Sequence, residues 1–264
     1  MKSYVPSLEK DFRPMIVELR KFKEKGTVPF AICVERQSGY KYRYDLNVMP
    51  GKDAENEEMI ERIIKSILWV VGGFKIYLGG NDELVAKMQE VFSYTGARQF
   101  DVEFMERVYK QKFEVVACKF EEVPASVEAS IPAGGHLAGN RIGFDAGGSD
   151  RKVSAVVNGE VIHSEEVVWF PKTNSDPDYH YQGILDSFRR AAEKMPSVDA
   201  IGVSSAGIYI DNEVRVASLF IKVPQDEFDA KVVDMYIRAA KEYGDVPLTV
   251  ANDGDVTALA GSMS

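Results

Sequence analysis

A chain of 264 residues with 45% hydrophobic positions can bury a core of its own and has room for two domains. Its formal net charge of −9 argues against sequence-independent nucleic-acid binding and against attachment to an anionic membrane surface. Cys33 and Cys118 make no disulfide framework and lack metal-ligand spacing; no N-terminal apolar run or bilayer-length segment is present, so a soluble cytoplasmic protein with free thiols is expected.

The first predicted element is a charged helix over Asp11 to Lys25, with Phe12, Met15, Ile16, Leu19 and Phe22 at helical spacing. A hairpin follows, Phe30 to Val34 and Tyr40 to Val48, turning through QSG. Its row of Tyr40, Tyr42 and Tyr44 suits either a stacking platform or one face of a half-buried strand, and the second reading is the simpler. Glu55 to Val71 reads as a helix with Met59, Ile60, Ile63, Ile64, Ile67 and Leu68 inward; Lys75 to Leu78 reads as a strand, and Asn81 caps a helix through Tyr94. A helix over Glu103 to Lys112 and a strand over Phe113 to Phe120 complete an α/β domain, residues 1–124, whose element order loosely echoes the second half. It contains no clear helix-turn-helix and little basic clustering.

Residues 125–139, rich in small residues with Pro132 and three glycines, read as a linker, and His136 in it is expected to face solvent. None of the three histidines forms a metal-spaced pair. From 140 to 264 the expected order is βββαβαβα: a hairpin through Arg141 to Val157, a strand over Val161 to Phe170, a helix over Asp178 to Met195, and a strand over Ala200 to Ile210 interrupted by Ser204 to Gly207. A helix over Asp226 to Tyr243, a strand over Leu248 to Asp253 and the start of a last helix at Val256 follow. The polar loop Pro171 to Asp178 either connects strand to helix or closes over a substrate.

The hairpin tip, Asp145-Ala-Gly147-Gly148-Ser149, is neither a P-loop nor a dinucleotide fingerprint, because a strand rather than a helix follows it. Gly147 and Gly148 can take positive φ and let backbone N–H groups approach an anion; Ser149 and Lys152 can donate to it, and Asp145 can hold Mg²⁺ through water. An acid followed by two glycines is equally an ordinary hairpin turn.

The glycine hairpin, SSAG (Ser204 to Gly207) and AND (Ala251 to Asp253), in that order over about residues 140–264, resemble the ROK family of sugar kinases and repressors within the sugar-kinase, hsp70 and actin superfamily. The resemblance implies an RNase H-like ATPase lobe, with ATP, Mg²⁺ and a small-molecule sugar as ligands. It implies Asp253 as general base, with Asn252, Gly207 and Ser205 against the acceptor. Gly147, Gly148 and Ser149 would lie against phosphate. For Asp253, capping of the helix that begins at Val256 is a second reading compatible with the first.

Three positions depart from the family pattern. Asp150 adds a negative charge beside the phosphate loop; VASLF at Val216 to Phe220 replaces a segment that commonly carries a sugar-binding asparagine; Asp255 replaces an asparagine. The family's second lobe, with its other phosphate loop, adenosine pocket and zinc motif, does not appear after Asp253. The chain is therefore expected to be the N-terminal part of a kinase that is inactive alone, unless residues 1–124 stand in for that lobe. A non-catalytic sugar sensor and a superfamily ATPase driving a partner are the competing classes. Oligomeric state is left open.

Overall fold

The computed structural model describes residues 7–9, 12–130 and 135–263, which fall into two compact units, 1–130 and 131–264. Asp11 at the expected start of the first helix and Pro132 of the expected linker lie outside the described residues. Among the described residues, no helix is long and apolar enough to cross a membrane.

The first unit contains α1 (Met15–Lys25), β1 (Val28–Glu35), β2 (Lys41–Val48), α2 (Asp53–Val70), β3 (Lys75–Gly79), α3 (Asp82–Val91), α4 (Gln99–Tyr109) and β4 (Glu114–Cys118). Its sheet has the order β2-β1-β3-β4, with β1 antiparallel to both neighbours and β3 parallel to β4. Residues 30 to 34 of β1 are all buried, as a central strand covered on both faces requires. Helix α2 buries the six apolar residues expected of it, and Asn56 at its start bonds both backbone groups of Met49, fixing the angle at which the chain enters the helix. Asn81 caps α3 by accepting from the Leu84 N–H at 2.8 Å. Helix α1 starts four residues later than expected because Pro14 sets an extended backbone before it. Tyr42 and Tyr44 pack on the core, so the tyrosine row is a sheet face and not a platform. Val127 still pairs with Lys41, which ties that much of the expected linker to the first unit.

The second unit contains β5 (Asn140–Ala146), β6 (Asp150–Val157), β7 (Glu160–Val168), α5 (Pro177–Ala192), β8 (Ala200–Ser205), β9 (Ile208–Ile210), β10 (Glu213–Val216), α6 (Gln225–Glu227), α7 (Met235–Lys241), β11 (Leu248–Asn252) and α8 (Asp253–Met263). The main sheet has the order β11-β8-β5-β6-β7: β5, β6 and β7 form an antiparallel meander, and β8 and β11 run parallel to β5. This is an RNase H-like arrangement, an antiparallel meander extended by two parallel strands. The echo between the two halves stops at element order, because β3 is antiparallel to β1 whereas β8 is parallel to β5. Alternate residues of the central strands, among them Ile142, Phe144, Val153, Ile201, Val203 and Val250, form the core with α5 and α7. The opposite face carries Gly143, Asp145, Lys152, Ser154, Gly202 and Ser204.

Two stretches differ from expectation. The helix expected over Asp226 to Tyr243 is α6, a π-helical segment Phe228–Val232, and α7. The Val214 N–H of β10 takes the Val233 carbonyl at 2.9 Å, so that carbonyl cannot continue a helical ladder, while the Val233 N–H reaches back to Phe228 in the wider π spacing. Asp211 and Asn212 both adopt positive φ in the two-residue turn joining β9 and β10, a hairpin for which that acid-asparagine pair is the sequence signal. Asn212 then reaches to the sheet edge: its Oδ1 accepts from Val250 N–H at 2.8 Å and its Nδ2 donates to Leu248 C=O at 3.1 Å.

Candidate functional site

The parallel run β5, β8, β11 places the three sequence motifs in adjacent registers. Asp145 lies opposite Ser204, and Ser204 opposite Ala251; one step on, Ala146 lies opposite Ser205, and Ser205 opposite Asn252. Lys152 of β6 faces Asp145 from the other side. Carboxyl ends of neighbouring parallel strands are where α/β sheets gather ligand-binding groups. Beside them, on the open sheet face, a groove of about 420 Å³ is lined by Asp145, Lys152, Ser154 and Ser204, with Val256 and Leu259 of α8 on its flank.

The glycine turn is held differently from what its composition suggests. Neither Gly147 nor Gly148 adopts positive φ. What requires glycine at 147 is close approach, since a Cβ there would stand 2.6 Å from the Asp150 carbonyl oxygen, in a loop where β6 restarts at once. A Cβ on Gly148 would meet only the end of the Lys172 side chain, its Nζ and Cε both at 2.8 Å. Trp169 fixes the turn from outside: its backbone N–H donates to Ser149 C=O at 3.1 Å and its indole N–H to Gly147 C=O at 2.8 Å. The ring packs on Gly183 of α5, where a Cβ would stand 3.1 Å from it.

Asp150 occupies both donors expected to bind phosphate. Ser149 donates to its carboxylate at 2.9 Å and Lys152 Nζ does so at 2.5 Å, with Glu166 3.8 Å from the same ammonium. The Lys152 ammonium, then the Ser149 hydroxyl, hold the Asp150 carboxyl below the usual carboxylate range, and Asp150 in turn raises Lys152. The charge that Asp150 adds is therefore balanced within the chain.

In SSAG, Ser205 is fully buried and donates to Ala146 C=O at 3.2 Å, joining β8 to β5 behind the turn. Gly207 has φ +153, and a Cβ there would lie 2.5 Å from the Val216 carbonyl oxygen, so its glycine is a backbone requirement. Behind it, burial pushes the Tyr209 phenol up to about 12, and burial together with the Tyr209 phenol drives Tyr236 far up.

Helix α8 starts at Asp253 rather than Val256, which moves the cap one residue back. Asn252 Oδ1 accepts from Gly254 N–H at 2.8 Å and is the capping group, while its Nδ2 donates to Gly207 C=O at 2.8 Å. Asn252 thus ties the third motif to the second. Asp253 is exposed at the first turn; one carboxylate oxygen accepts from Gly254 N–H at 2.9 Å, and the group makes no ion pair among the described residues. Trp169, Lys172, Tyr209 and Tyr236 were not singled out from sequence. Their positions depend on packing between elements, and none carries a local motif.

No protein-family model matches the chain, and no curated protein does. Solved structures similar to parts of it include a ROK hexokinase from Thermus thermophilus (16% identity, 43% of this chain and 35% of that one, TM-score 0.32). A putative N-acetylmannosamine kinase from Listeria monocytogenes (24%, 43% and 35%, 0.30) and a ROK transcriptional regulator described as a homologue of the E. coli MLC protein (16%, 48% and 31%, 0.33) are others. The aligned part spans about a third of the length of these structures.

Proposed function

We propose that this chain supplies a ROK-like lobe of an ATP-dependent sugar kinase, which transfers phosphate from ATP to a hydroxyl of a hexose-like sugar or polyol. The observation that carries this reading is the single cross-sheet alignment of Asp145, the SSAG turn and Asn252-Asp253 at the ends of three adjacent strands. Phosphoryl transfer needs a base, an in-line acceptor and charge neutralisation close together, and those strand ends offer them. Asp253, exposed and without an ion pair among the described residues, would take the proton of the acceptor hydroxyl. Asn252 orients it indirectly, since the amide holds the Gly207 carbonyl and the first turn of α8.

Among the described residues, no group of three or more His, Cys, Asp or Glu could hold a bare metal ion. A single carboxylate such as Asp145 fits Mg²⁺ that keeps several waters and is shared with substrate phosphates. Mg·ATP, when bound, supplies the phosphoryl group and neutralises the charge developing on it. The chain's own residues hold the turn: Trp169 on its outer side, Ser205 behind it.

ADP release by the full-length protein over hexoses, amino sugars and polyols tests the proposal. Turnover with one sugar class is expected, and Asp253→Ala should lower it by about 10²–10⁴-fold while sugar binding persists. Retained turnover in Asp253→Ala would remove Asp253 as the base. The engagement of Ser149 and Lys152 by Asp150 favours a second reading, a sugar sensor without transfer; sugar binding with no ADP release under any condition would select it.

A further inference from the structure

Lys172 sits in the loop between β7 and α5, on the short helical turn Pro171–Thr173. Of the two lysines beside the glycine turn, it alone makes no ion pair among the described residues; Lys152 is held by Asp150 and Glu166. Its Nζ reaches the space that a side chain at Gly148 would fill. An exposed lysine would ordinarily turn its ammonium to water or to a carboxylate. Here it lies over the backbone of the turn.

Its position is built. Three residues before it, Trp169 is bonded to the turn by backbone and indole. Phe170 N–H donates to the Tyr179 hydroxyl at 2.9 Å, and Thr173 Oγ1 donates to Phe170 C=O at 3.1 Å. Pro171 is buried, and its carbonyl oxygen lies 3.0 Å from Nε2 of His180, a fully buried ring that also lies 3.2 Å from Leu219 C=O. The ring packs against Trp169, Tyr179 and Phe220. The loop is thereby fixed on both sides of Lys172, and rotation of the lysine side chain is the main freedom left.

We propose that Lys172, rather than Lys152, is the cationic ligand for a polyphosphate lying on the Gly147–Ser149 turn. This rests on the kinase reading for its nucleotide, though not for its anion. The chemistry recognised is that of a di- or triphosphate, whether it comes from a nucleotide or from an inorganic chain. Asp150 and Glu166 engage Lys152, which leaves Lys172 as the lysine at the turn without an ion pair among the described residues.

Titration calorimetry with Mg²⁺ and inorganic tripolyphosphate, and separately with Mg·ATP, tests this on the full-length protein. Lys172→Gln is expected to weaken tripolyphosphate roughly ten- to hundred-fold, and Lys172→Arg to restore most of it. Lys172 is exposed, so neither change threatens folding, and unchanged melting of the unliganded variants checks this. Affinity within twofold of the parent in Lys172→Gln overturns the proposal, as does a parent that binds no tripolyphosphate but is stabilised by a sugar. That second result would leave the kinase reading standing. Lys172-dependent binding without any sugar-dependent turnover would support the anion site and remove the kinase. Equal Lys172 dependence with ATP identifies a nucleotide as a source, whereas dependence with tripolyphosphate alone identifies the inorganic chain; both support the site.

Discussion

The Tyr209 phenol, 6.3 Å ring to ring from Tyr236, is displaced from the ordinary phenol value of 10 up to about 12 because burial disfavours its charge. A pKa raised in the folded state means that the folded protein holds the proton more tightly than the unfolded chain. The stability linked to Tyr209 is therefore complete below about pH 10 and lost as pH rises toward about 12. Denaturant unfolding across that window should show Tyr209→Phe losing less stability than the parent, by up to roughly 2–3 kcal/mol. Identical slopes would mean that the phenol is not buried in solution. Little of this was legible in the sequence, where Tyr209 is simply one more aromatic after SSAG. Asp150 was legible as a charge beside the turn; that Lys152 and Ser149 both answer to it depends on the β5–β6 hairpin, which points them to one side.

At the scale of elements, helix periodicity located α2 and α5 well, because each buries one apolar stripe. Over Asp226 to Tyr243 it found the stripe, with Val232, Met235, Tyr236, Ala239 and Ala240 all buried, but missed the interruption where β10 withdraws a carbonyl from the ladder. Periodicity reads a stripe and cannot see a hydrogen bond arriving from another element. The third motif shows the same limit: AND marked the end of a strand, and the division of labour between Asn252 and Asp253 appeared only once α8 was found to begin at Asp253. Asn252 makes two bonds to two elements, so Asn252→Ala should cost the second unit about 1–3 kcal/mol, and Asn252→Ser, which keeps a capping oxygen, should recover about half. An unchanged unfolding midpoint in Asn252→Ala would show that neither bond is made in solution.

The whole molecule consists of two units with separate cores, one built around Ile32, Ile60 and Ile64 and the other around Phe144, Ile184 and Phe188. The change from one to the other was readable as a run of small residues near 125–139, though the Lys41–Val127 pairing is invisible to composition. Each unit carries one tryptophan, Trp69 in the first and Trp169 in the second. Fluorescence of Trp169→Phe reports the first unit and that of Trp69→Phe the second. Adding Ile64→Ala, a core truncation of about 2–5 kcal/mol, should lower the Trp69-reported transition and leave the Trp169-reported one in place. Movement of both together would mean that the two cores unfold as one.

Strand β11 is the outer strand of its sheet, and an outer strand offers unpaired backbone groups as a template for another chain. Asn212 fills that template with a single amide, standing in for a sixth strand at Leu248 and Val250. The sheet thus carries its own terminator on that side. Because the amide comes from the β9–β10 turn, the terminator stays in place only while that turn keeps its left-handed backbone. Two residues in the αL region therefore set how far the sheet can grow, as well as the course of a loop.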